Sequence, residues 1–228
     1  MIKLFCVTYA GGTSKFFQGL SNELSGHIEC IGIEYAGHGT RRAESLYTSF
    51  GEMVQDVAEQ INEKLSMEDQ FSLFGYSMGS LVAYDVLAKD LLKTKASKLF
   101  VAAHNAPSIS SIKKTYSTMP DEEFLKCMLE FGGIDKVFIQ NKRFWPIYLP
   151  IIRNDYRLLE QYDFEKTKKQ LSIGGGVFYS ETDTPYRDIE PWKNVFSKDL
   201  QIYKFEGSHF FMRNNEKVIA KIIMEALM

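Results

Sequence analysis

Phe71-Ser72-Leu73-Phe74-Gly75-Tyr76-Ser77-Met78-Gly79 is the stretch on which the fold turns. Its apolar first half reads as a buried strand over 70–74, and a helical pattern over 79–92 begins almost where that run ends. Between them stands Gly-x-Ser-x-Gly, the pattern of a sharp strand-to-helix turn that lifts a serine hydroxyl clear of a sheet. The two glycines permit a backbone too crowded for a Cβ. The pentapeptide alone arises by chance in many chains. With a strand before it and a helix after it, Ser77 becomes a candidate nucleophile rather than a plain turn residue.

Outward from this turn, apolar runs and helical patterns alternate. Ile2 to Thr8 reads as a strand, Ser14 to Leu24 as a helix, and Glu29 to Ile33 as a second strand. Phe50 to Leu65 is a helix, with Met53, Val57, Ala58, Ile61 and Leu65 on its apolar face, and Lys98 to Ala103 is a further strand. Strict alternation implies right-handed crossovers and an α/β fold with a doubly wound, mostly parallel sheet. Ligands on such sheets bind beyond the carboxyl ends of the strands. The alternation breaks after Pro107. Residues 108–169 read as helical, with Asp121-Glu122-Glu123 in a first turn after Pro120, a Gly132-Gly133 stop, and a second helix from about Pro150 to Tyr162. This segment is expected to be a helical lid inserted into one domain spanning 1–228; a packed extra helical layer without gating is the alternative. Strands over 171–179 and 200–205 and a helix from Glu216 to Leu227 complete the pattern.

Composition excludes several classes of function. With 45% hydrophobic and 25% charged residues and a formal net charge of −2, the chain carries no electrostatic footprint for nucleic acid or an anionic membrane. Cys6, Cys30 and Cys127 are scattered and odd in number, which fits reduced thiols rather than a disulfide framework or a zinc site. The apolar run at Met1 to Val7 is too short for a signal sequence, and no run reaches the eighteen or so residues of a membrane span. A soluble, cytoplasmic protein is expected.

A nucleophilic serine needs a base, an acid and an oxyanion hole. In this architecture they follow in the chain order Ser, Asp or Glu, His. Of the histidines His27, His38, His104 and His209, only His209 lies after both the serine and an acid-bearing strand. It stands in the small-residue loop Gly207-Ser208-His209 between the last strand and the last helix. His104, at a strand end, can line the site but comes too early to be the base. The acid is expected in Ser180-Glu181-Thr182-Asp183-Thr184, where Asp183 can reach the far imidazole nitrogen and hold its tautomer. Glu181 and Asp188 compete, and Asp183 also suits a plain turn. The oxyanion hole is assigned to backbone N–H groups of Met78, after the nucleophile, and Ala10, in the loop Thr8-Tyr9-Ala10-Gly11-Gly12-Thr13.

Taken together these residues resemble the type II thioesterases of nonribosomal peptide and polyketide assembly lines, within the α/β-hydrolase superfamily. The resemblance covers nearly the whole chain. It rests on Tyr9-Ala10-Gly11-Gly12, Gly37-His38-Gly39-Thr40-Arg41, Leu73 through Gly79, Glu122 to Leu125 with Gly132-Gly133, and Leu149 through Tyr162. Thr8 and Ala36 replace prolines of the pattern, and Tyr76 stands where histidine is common. Gly174-Gly175-Gly176 is unusual for a central strand. The resemblance implies hydrolysis of acyl or aminoacyl groups from the phosphopantetheine arm of an acyl or peptidyl carrier protein, with no cofactor or metal, by a monomer. A carboxylesterase or lipase acting on oxygen esters would use the same three residues, and a non-catalytic binding module is the reading from another class. Arg41, Arg42, Lys113, Lys114, Lys142 and Arg143 are candidate cations for an acidic carrier.

Overall fold

Aromatic and branched residues in short runs, each facing alternate sides, build the sheet. In a computed structural model that describes residues 1–109, 115–134 and 140–228, its strands are β1 (Ile2–Val7), β2 (Ile28–Ile33), β3 (Phe71–Tyr76), β4 (Lys98–Ala102), β5 (Gly174–Ser180) and β6 (Leu200–Phe205). Their order is β2-β1-β3-β4-β5-β6, and every neighbouring pair is parallel. The chain winds from β1 outward to β2, then crosses back to lay β3 on the other side of β1. Such a reversal opens a crevice at the carboxyl ends of the two central strands. The loop after β1 and the turn after β3 both end there.

The period of two sorts the side chains into two cores. Phe5, Val7, Leu73, Leu99, Val101 and Val177 face helices α2 (Phe50–Lys64) and α3 (Met78–Ala88). Leu4, Cys6, Phe74, Tyr76, Phe100 and Phe178 face the opposite way, with α1 (Gln18–Leu24) and the C-terminal helix (Glu216–Leu227) over them. α3 is buried along almost its whole length, as an all-round apolar helix should be. It ends at Ala88 rather than at 92, because Asp90 takes a left-handed φ of 54°. Cys6 and Cys30 are free thiols whose sulfurs lie 3.3 Å apart on neighbouring strands.

The glycines of β5 have a steric cause. A Cβ at Gly175 would sit 1.9 Å from the Leu99 carbonyl oxygen, and one at Gly174 2.5 Å from that of Asp199. The strand starts at Gly174 instead of 171, Leu171 making only an isolated bridge to Phe196.

Within 108–169, the described residues form α4 (Asp121–Glu130) and α5 (Trp145–Glu160), while 110–114 and 135–139 lie outside the described residues. α4 starts and stops at the expected signals, Gly132 taking a φ of 78° just past its end. α5 begins five residues before Pro150, with Pro146 in its first turn; Pro150 is accommodated inside the helix. Phe124, Leu125, Met128, Leu149 and Ile152 give the pair an apolar cluster of its own. The C-terminal half of α5 is tied to the sheet domain. Arg157 and Asn154 donate to the Tyr47 carbonyl at 3.1 and 3.2 Å. Among the described residues, no helix is long and apolar enough to cross a membrane.

Candidate active site

Ser77 sits between β3 and α3 with φ 53° and ψ −121°, a conformation that L-residues rarely adopt. Packing holds it there. A Cβ at Gly75 would meet the Gly79 carbonyl oxygen at 2.3 Å, and one at Gly79 the Val7 carbonyl oxygen at 2.0 Å, so both flanking positions require glycine. The Ser77 N–H donates to the Ala102 carbonyl at 2.8 Å. The buried Ser80 hydroxyl lies 3.0 Å from the Gly75 carbonyl, 3.1 Å from the Ala102 carbonyl and 3.2 Å from the Ala102 N–H. The turn is thereby stitched to β4.

The structure brings Ser77, His209 and Asp183 into one line. His209 Nε2 lies 3.0 Å from Ser77 Oγ, and its Nδ1 lies 2.8 Å from Asp183 Oδ1. With Nδ1 donating to the carboxylate, Nε2 is left to accept from the serine hydroxyl. The imidazole and carboxylate side chains are 21% and 14% exposed, sheltered yet reachable. Asp183 stands just past β5, its N–H donating to Ser180 O at 3.1 Å. Of its competitors, Glu181 accepts the Tyr186 N–H and Asp188 lies beside Arg187.

Two supports were hidden in the sequence. The Tyr76 hydroxyl, next to Ser77 in the chain, donates to the His209 carbonyl at 2.6 Å. The Ser180 and Thr182 hydroxyls both reach the Gly207 carbonyl, so the acid loop and the histidine loop are fastened together. The only clue was Tyr76 in a position where the motif usually has histidine.

The loop after β1 closes as a turn, Gly12 N–H donating to Tyr9 O at 2.9 Å. The Gly11 N–H is taken by Asp155 of α5 at 2.6 Å. The Ala10 N–H takes part in neither bond, and Ala10 lines the pocket beside Ser77. Met78, the first residue of α3, has an N–H without an intrahelical acceptor. The pocket at Ser77 is walled by the lid-side residues Met128, Ile134, Ile152 and Tyr156 together with Tyr9 and Phe210. Among the described residues, no Lys, Arg, Asp or Glu lines it.

His104 does not line that pocket. Its Nδ1 faces the Asn105 carbonyl at 2.8 Å, and burial, aided by the nearby His209 imidazole, pushes its pKa down to about 4. It is neutral at physiological pH. Arg41 is not a free surface cation: it pairs with Asp56 at 2.6 Å and with Glu44 at 2.5 Å. Arg42 and Arg143 are exposed, Lys142 pairs with Glu122 at 3.0 Å, and Lys113 and Lys114 lie outside the described residues. Among the described residues, no cluster of His, Cys, Asp and Glu is suited to hold a metal ion.

Comparisons with known proteins bear on the family and the fold. The family model of the thioesterase domain matches residues 2–226. The gramicidin S biosynthesis protein GrsT of Aneurinibacillus migulanus is 26% identical over 99% of this chain and 89% of its own length. The medium-chain S-acyl fatty acid synthase thioesterase of Rattus norvegicus is 27% identical over 100% of this chain and 88% of its own. Among solved structures, ClbQ from the colibactin NRPS/PKS pathway superposes with a TM-score of 0.90 at 26% identity, covering 99% of this chain and 96% of that one. The chain belongs to the thioesterase family, hydrolases of α/β-hydrolase fold that act on thioesters.

Proposed function

We propose that this enzyme acts as a monomer to hydrolyse acyl or aminoacyl groups from the phosphopantetheine thiol of a carrier protein, clearing stalled or mis-primed sites, with Ser77, His209 and Asp183 as its catalytic triad. The observation that carries the reading is the unbroken line of hydrogen bonds from Ser77 through His209 to Asp183 on a strained turn. His209 Nε2 takes the proton as Ser77 Oγ attacks the thioester carbonyl carbon. The N–H groups of Met78 and Ala10 hold the developing oxyanion. The carbon–sulfur bond then breaks, and the imidazolium returns its proton to the leaving thiolate. Water, deprotonated by the same nitrogen, attacks the acyl-enzyme ester, and collapse releases the acid and restores the Ser77 hydroxyl. Asp183 keeps the ring in the productive tautomer throughout.

The segment 108–169 serves as the lid. Its α4–α5 pair has a core of its own and supplies one wall of the pocket, which supports a unit that closes over the acyl group. Arg42 and Arg143, exposed and on the surface, are the cations offered to an acidic carrier. The test compares an acylated carrier protein with a nitrophenyl ester of the same acyl chain. The carrier should be the better substrate by kcat/KM, and a strong preference for the free ester would point to a carboxylesterase instead. Ser77→Ala should lower turnover by about four to six orders of magnitude with the fold intact; near-normal turnover would refute the nucleophile assignment.

A further inference from the structure

Away from the triad, a histidine and an aspartate meet in the core with no part in the mechanism above. His38, in the loop after β2, places Nε2 2.9 Å from Asp155 Oδ2, and its Nδ1 lies 3.0 Å from the Ala36 carbonyl oxygen. Both side chains are essentially inaccessible, at 2% and 0%. The same Asp155 Oδ2 accepts the Gly11 N–H at 2.6 Å, while Oδ1 is buried with no hydrogen-bond partner among the described residues. Each ring nitrogen of His38 thus faces an oxygen that can only accept: a peptide carbonyl on one side, a carboxylate on the other. With Asp155 ionised, the imidazole carries both protons to satisfy them. One turn earlier on α5, Ile152 packs so closely on Gly11 that a Cβ there would lie 2.6 Å from its Cγ1.

Burying an ion pair in apolar surroundings is a poor way to add stability. Its value here is in position, because one oxygen gathers two donors from two loops and sits on the helix that walls the pocket. We propose that His38 and Asp155 are positioning residues, whose shared proton clamps α5 onto the loop after β1 and fixes Gly11, and with it the neighbouring Ala10 N–H, where the oxyanion forms. The proposal rests on the assignment of Ala10 to the oxyanion hole.

The clamp has a pH dependence with a definite sign. Besides Asp155 from α5, the groups that bear on His38 are Glu34, the Tyr35 ring at 5.6 Å and Arg41, whose N–H donates to the His38 carbonyl. Burial by itself lowers the imidazole pKa, but the bond and charge of Asp155, the Ala36 carbonyl and Glu34 outweigh it and raise it above the ordinary value. A raised value means the clamp is whole below the ordinary imidazole range and is lost as pH climbs through the raised one.

The experiment is steady-state hydrolysis of an S-acyl pantetheine across pH, at a temperature where every variant remains folded. Asp155→Asn removes the charge that keeps the second proton on the ring, so Nδ1 is left facing the Ala36 carbonyl oxygen without a hydrogen. It should lower kcat on the order of 10- to 100-fold while leaving KM within about threefold, since the oxyanion exists only beyond the ground state. His38→Ala should be impaired at all pH values. His38→Gln, whose amide donates to Oδ2 and does not titrate, should restore most of the turnover lost in His38→Ala and abolish the alkaline decline of the unmodified enzyme. An undiminished kcat in Asp155→Asn, or the same alkaline decline in His38→Gln as in the unmodified enzyme, overturns the proposal. If Asp155→Asn does not fold, the His38 pair decides alone. Ser77→Ala run alongside separates the failures: turnover there removes the reading of the site itself, whereas an inactive Ser77→Ala beside an undiminished Asp155→Asn removes only the clamp.

Discussion

Tyr76→Phe tests the hydroxyl that ties the Ser77 turn to the His209 loop. The ring of Tyr76 is fully buried in the core against α1 and the C-terminal helix, packed near Phe210 and Phe211, and phenylalanine would keep that packing. The 2.6 Å bond to the His209 carbonyl is removed, together with the hydrogen bond between the phenol oxygen and the Met212 backbone. A hydrogen bond of this kind contributes about 1 kcal/mol net, and an orphaned buried carbonyl raises the loss towards about 3 kcal/mol. Because His209 is one-fifth exposed, water has some access to its loop, which favours the lower end. For a chain of this size that is a fall in Tm of roughly 2–4 °C per kcal/mol. Burial pushes the phenol far above its ordinary pKa, so the hydroxyl donates at every working pH and the loss should be pH-independent. The freed loop lets the imidazole sample positions beyond reach of Ser77, and kcat should fall by about tenfold, with KM nearly unchanged. Thermal unfolding and steady-state kinetics on an S-acyl pantetheine measure both. A variant with unchanged Tm and unchanged kcat would show that the hydroxyl neither stabilises nor aligns, and the reasoning would fall.

Asp183→Asn should retain the fold but present the wrong tautomer of His209, lowering kcat by about four orders of magnitude; a loss below tenfold would return Glu181 or Asp188 to consideration. Asp56, which accepts from Arg41, Tyr47 and Gln60, is held below the usual carboxylate range because these bonds outweigh the opposing effect of its partial burial. Its contribution is therefore complete above about pH 4 and is lost as pH falls through the lowered value. Tm followed over acid pH should fall less steeply in Asp56→Asn than in the unmodified enzyme, and parallel curves would contradict the assignment.

What the sequence discloses depends on the range of the force involved. Strands and helices of the alternating scaffold follow from local patterning, and β6 and the C-terminal helix fall where periodicity puts them. Ser77, His209 and Asp183 come from chain order, because topology restricts which loops open at one end of a parallel sheet. Legibility stops where a boundary is decided by tertiary contact. Pro150 reads as a helix start because proline ends or begins helices locally, yet the packing of Leu149 and Ile152 on α4 carries the helix through it. The glycines of β5 look wrong for a central strand until the carbonyls of Leu99 and Asp199 take the space of their side chains. Arg41 reads as a surface cation, but Asp56 and Glu44, neither predictable as its partners from spacing alone, hold it.

The same distinction explains why the support of the site was invisible while its chemistry was not. A nucleophile, a base and an acid are restricted to a few residue types, so a chain with four histidines offers few solutions. A positioning contact has no such restriction: it can use any donor that reaches any carbonyl. Tyr76 to His209, Ser180 and Thr182 to Gly207, and Asp155 to Gly11 span separations of 133, 27, 25 and 144 residues, and three of the four acceptors or donors on the far side are backbone atoms of glycine. Backbone partners leave no signature in side-chain pattern. They do leave one in glycine: Gly11 and Gly207 both take left-handed φ, at 78° and 119°. A second residue at either position would strain the loop that delivers an oxyanion donor or the base, so substitutions there should damage catalysis through geometry while removing no functional side chain at all.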